Sequence, residues 1–152
     1  MVPVTLGEWP TMYSAEAAGG AGCTTEAGIS IFLVDDVPEL RELIRYGMEE
    51  DPGFRIIGEA GDGRTALEGI AETHPAAVLL YLSMPDMDGM QAIPEIRSFD
   101  PGVAIIVLSG FSADRMAGLV HERGADGYVE KGTPIQELRE VIRTAVAAKR
   151  GE

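Results

Sequence analysis

The sequence predicts an α/β domain built on an open parallel sheet with helices on both faces. Five short segments with strand character alternate along the chain with five stretches of helical periodicity. The central run, Val78 to Leu82, is apolar at every position, as expected of a strand covered by helices on each side. Such an alternation favours parallel strands joined by right-handed crossovers.

Composition fits one globular domain and excludes several classes of function. The 152 residues are 45% hydrophobic and 24% charged, which is ordinary for a domain with a real core. The net charge of −13 opposes nucleic-acid binding by this chain, because phosphate contacts need clustered Lys and Arg. No run approaches the roughly 18 apolar residues of a membrane span. The N-terminus lacks a signal-peptide pattern, and a single cysteine, Cys23, fits the reducing cytoplasm.

The first 28 residues show no periodicity and are predicted to form a flexible tail ahead of one domain over 29–150. A run of Gly and Ala at 18–22 interrupts them, as is typical of unstructured segments. Trp9, Met12 and Tyr13 leave open a short docking segment.

The first half of the domain predicts three strands separated by two helices. The strands are 29–34, 54–60 and 76–82, and the helices are about 38–50 and 63–73. Pro38 suits the first turn of a helix, where its missing N–H costs nothing. Apolar residues then recur at helical spacing, namely Leu40, Leu43, Ile44 and Met48, which indicates an amphipathic helix. Asp62 is placed to cap the second helix.

The second half predicts three helices and two strands. The helices are 89–97, about 113–123 and one that begins near 134, and the strands are 103–108 and 125–130. Pro94 lies inside the first of these helices, which is therefore expected to be short or bent. Gly124 closes the next one. The run Thr133-Pro134-Ile135-Gln136 predicts a capping box with proline at the first helical position.

Chemically active side chains follow four of the five strands. Asp35 and Asp36 follow the first strand, Tyr81 lies near the end of the third, Ser109 follows the fourth and Lys131 the fifth. In an open α/β sheet, ligand sites lie at the carboxyl ends of the strands. Carboxylates are ligands for Mg²⁺, and the hydroxyl and the ammonium suit phosphoryl oxygens. The pattern predicts a small site for a cation and a phosphoryl group.

Each of these residues taken alone has a more ordinary interpretation. An acidic pair after a strand is often a solvated loop, a lone Lys is usually a surface residue, and Ser109 alone begins a turn. His74 and His121 lack a second ligand at metal spacing and are predicted to be solvated. A flavin carrier on the same fold is disfavoured because it needs a Gly-, Ser- or Thr-rich loop after the first strand. The acidic pair there would repel phosphate, so no organic cofactor is predicted.

Four segments resemble the receiver domains of two-component response regulators. They are LVDDVPEL at 33–40, MPDMDG at 84–89, VLSGF at 107–111 and GADGYVEKGTP at 124–134. The resemblance implies a flavodoxin-like fold with strand order 2-1-3-4-5 and a signalling module rather than an enzyme. It also implies phosphoryl transfer from a histidine kinase to an Asp on the third strand, beside Mg²⁺ in an acidic pocket.

The resemblance also implies roles for individual residues. Asp35 and Asp36 match the acidic pair that holds Mg²⁺ together with the backbone carbonyl of Ser83. Ser109 matches the switch hydroxyl, and Tyr128 matches the switch aromatic residue. Lys131 matches the lysine that contacts the phosphoryl group. The implied partner is a histidine kinase, an output domain or another receiver, and a homodimer is left open. Because the KGTP run is similar to receivers that precede helix-turn-helix domains, a fragment of a DNA-binding regulator is an alternative.

Tyr81 departs from the family pattern. It stands three residues before Met84, where the family carries the phospho-acceptor Asp. A phenol cannot form an acyl phosphate, and it does not supply the carboxylate that an Asp would give to a cation. Mg²⁺ binding is therefore expected to be weak, since carboxylate count tunes affinity. Asp86 and Asp88 are poor substitutes because they should lie beyond the reach of Lys131.

We interpret this departure as the mark of a phosphorylation-independent pseudo-receiver that acts by protein contact. The Tyr81 ring is expected to fill part of the pocket, beside an acidic partner or Lys131, and to lock one conformation of the switch pair. Two alternatives stay open. One is a decayed or altered copy of an Asp-phosphorylated receiver, and the other is phosphorylation of Asp35, Asp36 or Tyr81 itself.

Overall fold

A computed structural model describes residues 28–82, 87–110 and 113–151. Within these ranges, five strands and five helices alternate strictly. The strands are β1 (Ile29–Val34), β2 (Phe54–Ala60), β3 (Ala77–Leu82), β4 (Ala104–Ser109) and β5 (Gly127–Glu130). The helices are α1 (Pro38–Glu49), α2 (Gly63–Thr73), α3 (Met87–Phe99), α4 (Ala113–Glu122) and α5 (Ile135–Lys149). The predicted flexible tail lies outside the described residues except for Gly28.

The five strands form one parallel sheet in the order β2-β1-β3-β4-β5. This confirms the predicted doubly wound α/β fold with the flavodoxin-like strand order. The chain moves outward from β1 to β2 and then returns to the other side of β1 to form β3. The carboxyl ends of β1 and β3 therefore lie side by side at the point where the strand order reverses, which is where ligands bind in open α/β sheets.

Two apolar clusters cover the two faces of the sheet. One contains Phe32, Leu80 and Val107 and is closed by α2, α3 and α4. The other is closed by α1 and α5 and contains the alternate strand residues, such as Leu33 and Leu79. Burial on both faces explains why the inner strands β3 and β4 read as nearly continuous apolar runs rather than alternating ones.

The pairing of β1 with β2 is irregular at one point. Ile31 pairs with Ile56, but Phe32 pairs with Gly58, so the register shifts by one residue. Such a bulge reverses the side on which every later residue of β2 points. Gly58 consequently lies against the Phe32 ring, and a Cβ built at Gly58 would lie 2.5 Å from that ring. Gly69 of α2 lies as close, since a Cβ there would also be 2.5 Å from the ring.

Most predicted helix ends are confirmed. Pro38 stands at the first position of α1, and the Asp62 side chain caps α2 by accepting a hydrogen bond from the Thr65 N–H at 2.8 Å. His74 ends α2 in the left-handed conformation, with φ 51°. Gly124, after α4, has φ 117°, a conformation that favours glycine.

Two local expectations were wrong, and a third was wrong in one of its two parts. Pro94 does not shorten α3, which runs for 13 residues, because buried side chains on either side of it hold the helix against the sheet and packing outweighs the proline penalty. The bend expected at Pro94 stays a prediction. The capping box does not form: Pro134 is the N-cap of α5, and the Thr133 hydroxyl instead donates to the Glu130 carbonyl at 2.6 Å. Leu43 lies outside the apolar stripe of α1 and is 66% exposed.

Candidate functional site

Strand pairing brings the predicted residues to one edge of the sheet. Val34 pairs with Leu80, so the next residues, Asp35 and Tyr81, lie at the same level on neighbouring strands. Leu82 pairs with Ser109, and Ser109 pairs with Glu130. The Lys131 N–H donates to the Ser109 carbonyl at 2.6 Å. Side chains from distant parts of the chain therefore meet at the carboxyl ends of β1, β3, β4 and β5.

Asp35 is the most constrained carboxylate of the site. Its side chain is buried, with 1% of the residue exposed, and its own N–H donates to the Ala60 carbonyl at 3.0 Å. Oδ1 accepts the Val37 N–H at 2.9 Å, whereas Oδ2 is buried and has no hydrogen-bond partner within the described part of the chain. Burial raises the pKa of Asp35 to about 6, opposed by the Val37 hydrogen bond and reinforced by the charge of Asp36.

The neighbouring carboxylate and the lysine are open to solvent. Asp36 and Lys131 are both exposed. A Cβ built at Gly110 would lie 4.0 Å from the Lys131 Cδ, so the lysine stem passes beside the loop that follows β4. One buried and one exposed carboxylate thus share an edge with a solvated ammonium, which suits a small anion and cation together better than an apolar ligand.

Ser109 and Tyr128 form a buried polar pair. Both residues have 0% exposure, and their side chains are hydrogen-bonded. Burial raises the pKa of Tyr128, while the Ser109 hydrogen bond lowers it and the charge of Glu130 raises it. The Tyr128 ring belongs to the cluster under α2, α3 and α4. The two side chains predicted as a switch are therefore in contact in the interior.

Tyr81 lies on the other face of the sheet. It is half-buried and packs against the cluster closed by α1 and α5. Because side chains alternate along a strand, it shares this face with Leu79 and not with Leu80. The ring is separated by the sheet from Tyr128.

Arg41 of α1 is a site residue that the sequence analysis missed. Its Nη1 donates to the Asp35 backbone carbonyl, and its Nε donates to Glu59 Oε1 at 3.1 Å. Arg45, one turn later, forms an ion pair with the other Glu59 oxygen. The two arginines stand four residues apart on one face of a helix that begins beside the acidic pair, and this spacing was the available signal.

The described residues fit a bound Mg²⁺ only in part. Among them, no three His, Cys, Asp or Glu side chains form a group able to hold a metal ion. Asp35 and Asp36 remain as two carboxylates, and the unpartnered Oδ2 of Asp35 is the kind of buried atom that a cation stabilises. Ser83, Asp86 and the side chain of Asp88 lie outside the described residues.

Comparison with known proteins identifies the family. The sequence model of the response regulator receiver domain matches residues 31–143. The chain belongs to this family. Receiver domains are signalling modules that interact with histidine kinases and output domains and generally bind Mg²⁺ at the phosphorylation site. No helix in the described ranges is long and apolar enough to cross a membrane.

Several bacterial and archaeal proteins are similar to this receiver domain. It is 35% identical to the uncharacterized transcriptional regulatory protein YxjL of Bacillus subtilis, over 82% of this chain and 56% of that protein. It is 32% identical to the response regulator UvrY of Escherichia coli K12, over 80% of this chain and 56% of UvrY. The chain thus spans about half the length of these curated relatives. By contrast, it covers 97% of the chemotaxis protein CheY of Halobacterium salinarum, at 37% identity over 78% of this chain.

Solved structures agree with this assignment. A LuxR-family response regulator from Aurantimonas superimposes with a TM-score of 0.70 at 30% identity, covering 82% of this chain and 99% of that one. The signal receiver domain of the putative response regulator NarL from Mycobacterium tuberculosis gives 0.69 at 26% identity, covering 82% and 98%.

Proposed function

We propose that this receiver domain works without aspartyl phosphorylation, as a pseudo-receiver that acts by protein contact. The proposal is carried by Tyr81, a phenol at the end of β3 beside Asp35, where the family resemblance expects the acceptor carboxylate. A phenol cannot form the labile acyl phosphate on which ordinary receivers depend. The other parts of the site, Asp35, Ser109 and Lys131, are present, so the change is confined to the acceptor.

The buried Ser109–Tyr128 pair supports a domain that is held in one conformation. Both side chains are buried and hydrogen-bonded to each other. Burial and this bond together hold the Tyr128 ring in the interior. We infer that a partner recognises this fixed arrangement.

The inferred partner is a histidine kinase, an output domain or another receiver, including a second copy of this chain. Its contact surface is the face formed by α4, β5 and α5, by analogy with the family. Replacing the exposed Glu122 and Glu137 on that face with lysine should abolish partner capture or change the dimer state. Glu72→Lys, at an exposed position of α2 on another face, is the matched control. If neither variant changes any candidate interaction, this face is not the contact surface.

We further infer a receiver over 29–150 that acts in the cytoplasm and binds Mg²⁺ weakly. Asp35, Asp36 and the Ser83 carbonyl would hold the ion, which would supply positive charge to the two carboxylates. With Tyr81 at the acceptor position, one carboxylate of the family site is missing, which favours low affinity.

Intact-mass spectrometry tests the main proposal. The native chain, Tyr81→Asp and Tyr81→Phe are incubated with Mg²⁺ and a small phosphodonor. We expect no phosphoryl group on the native chain and one on Tyr81→Asp. A labelled native chain would refute the proposal, and the Phe variant would then report whether the phenol itself carries the label.

A second candidate is the receiver portion of a DNA-binding regulator. It is favoured by the match to about half of YxjL, a transcriptional regulatory protein by its name, and by the likeness to LuxR-family regulators. Under this reading, DNA contact belongs to a domain beyond Glu152. Sequencing the coding region past that codon decides the matter: an open frame encoding a helix-turn-helix domain supports it, and an immediate stop codon excludes it.

A further inference from the structure

We infer that Arg41 is a positioning residue for the cation pocket and that Glu59 of the edge strand β2 holds it in place. The inference rests on the Mg²⁺ site proposed at Asp35 and Asp36. Arg41 does not contact the ion in this account; it fixes the backbone from which both carboxylates project.

The contacts of Arg41 connect three segments. Its Nη1 donates to the Asp35 carbonyl and its Nε donates to Glu59 Oε1 at 3.1 Å. Both side chains are 20% exposed, so solvent screens the pair only in part. One guanidinium thereby ties the loop after β1 to both α1 and β2.

The Asp35 peptide is held on more than one side. Its N–H donates to the Ala60 carbonyl at 3.0 Å, and its carbonyl accepts from Arg41. Gly61 leaves room for this approach, because a Cβ there would lie 3.3 Å from Arg41 Nη1. Without Arg41 the Asp35–Asp36 peptide would lose its only described side-chain donor. It would be free to rotate, and the Asp35 carboxylate would turn away from the Val37 N–H.

Charge compensation explains why an arginine is tolerated beside a cation pocket. A lone guanidinium near Asp35 would repel Mg²⁺. Glu59 accepts from Arg41 and pairs with Arg45, so its single negative charge offsets part of the positive charge of the two arginines. The geometry points to a rigid support for the pocket backbone whose charge is partly balanced beside it, as groups behind metal ligands commonly are.

The test compares Arg41→Lys and Arg41→Gln with Arg45→Gln, which removes the other arginine on Glu59 but no contact to Asp35. Hydrogen exchange of the Val37 amide, followed by NMR without Mg²⁺, reports the pocket backbone. Mg²⁺ dissociation constants are then measured by NMR titration in the native chain and in a Tyr81→Asp background. Thermal unfolding confirms that each variant is folded.

We expect both Arg41 variants to weaken Mg²⁺ binding about 10-fold and to speed exchange at Val37, while Arg45→Gln resembles the parent. Equal protection and equal affinity in all three variants would overturn the inference. The inference would also be overturned if Arg41→Gln bound Mg²⁺ more tightly than the parent while Arg41→Lys bound it as the parent does. That result would mean that Arg41 affects the site only through its positive charge. If the native chain binds no Mg²⁺ but Tyr81→Asp does, the proposed weak native site fails. The Val37 exchange and the Tyr81→Asp series then still decide the role of Arg41.

Discussion

Replacing Asp35 with asparagine should stabilise the folded domain at neutral pH. The Asp35 carboxylate is buried, and its Oδ2 has no hydrogen-bond partner within the described residues. Asparagine keeps the oxygen that accepts the Val37 N–H and removes the buried charge. The native protein therefore carries a carboxylate whose charge opposes folding, which is expected of a binding site rather than of a structural ion pair.

The magnitude follows from the pKa of Asp35, which burial raises from 3.8 to about 6. A shift of this size corresponds to at most about 3 kcal/mol at neutral pH, and screening by water at the open edge reduces the expected gain to about 1–2 kcal/mol. Because the folded-state pKa is the higher one, the penalty is absent below the unfolded pKa and grows as pH rises through about 4 to 6. The gain should therefore shrink by about half near pH 5.

Urea unfolding followed by circular dichroism measures both values, at about pH 7.5 and about pH 5. Asp51→Asn is the matched control, because hydrogen bonds from the Gly53 N–H and from Arg143 lower the pKa of Asp51. That variant should lose about the same stability at both pH values, because a pKa lowered from 3.8 keeps Asp51 ionised at pH 5 and its contribution disappears only at more acidic pH. A destabilised Asp35→Asn, or a gain that does not depend on pH, would refute the reasoning.

Three further predictions concern packing and helix ends, each measured by chemical unfolding. Gly69→Ala should destabilise the domain by about 1–3 kcal/mol because its Cβ would meet the Phe32 ring. Adding Phe32→Leu should recover part of that loss, and no recovery would contradict the packing argument. His74→Gly should stabilise by about 0.5–1 kcal/mol by relieving the left-handed conformation at the end of α2, and a loss would show that the His74 side chain matters more. Asp126→Ala should cost about 2–3 kcal/mol, because Asp126 Oδ2 accepts from the Ile105 N–H and from Arg97; an unchanged midpoint would mean that water replaces these bonds.

The order of elements and the edge of the site were predictable because both depend on short-range patterns. Continuous apolar runs mark the inner strands, which are buried on both faces, and Asp35 and Lys131 are the first residues after β1 and β5. The failures at Pro94 and Thr133 have a different origin. At Pro94, packing of α3 against the sheet outweighs the local preference of proline. At Thr133, a hydrogen bond to the Glu130 carbonyl replaces the helix cap. Both contacts depend on the tertiary fold.

The support for Asp35 could not be predicted because it depends on the register of β2. Glu59 pairs with Leu33 only because the register shifts after Ile31. Without that shift, Glu59 would point to the opposite face of the sheet, away from Arg41. No pattern in FRIIGEA marks the extra residue, so the sequence alone leaves the side of the sheet that Glu59 faces undetermined.

The Phe32 ring has a consequence for how this sequence can change over generations. The ring fills the space that side chains at Gly58 and Gly69 would otherwise take, so the three positions behave as one site. A substitution that adds a side chain at either glycine should occur together with, or after, replacement of Phe32 by a smaller residue. Among relatives with the same bulge in β2, those with an aromatic residue at the Phe32 position should have glycine at both other positions. Those with a smaller residue there should tolerate larger side chains at both.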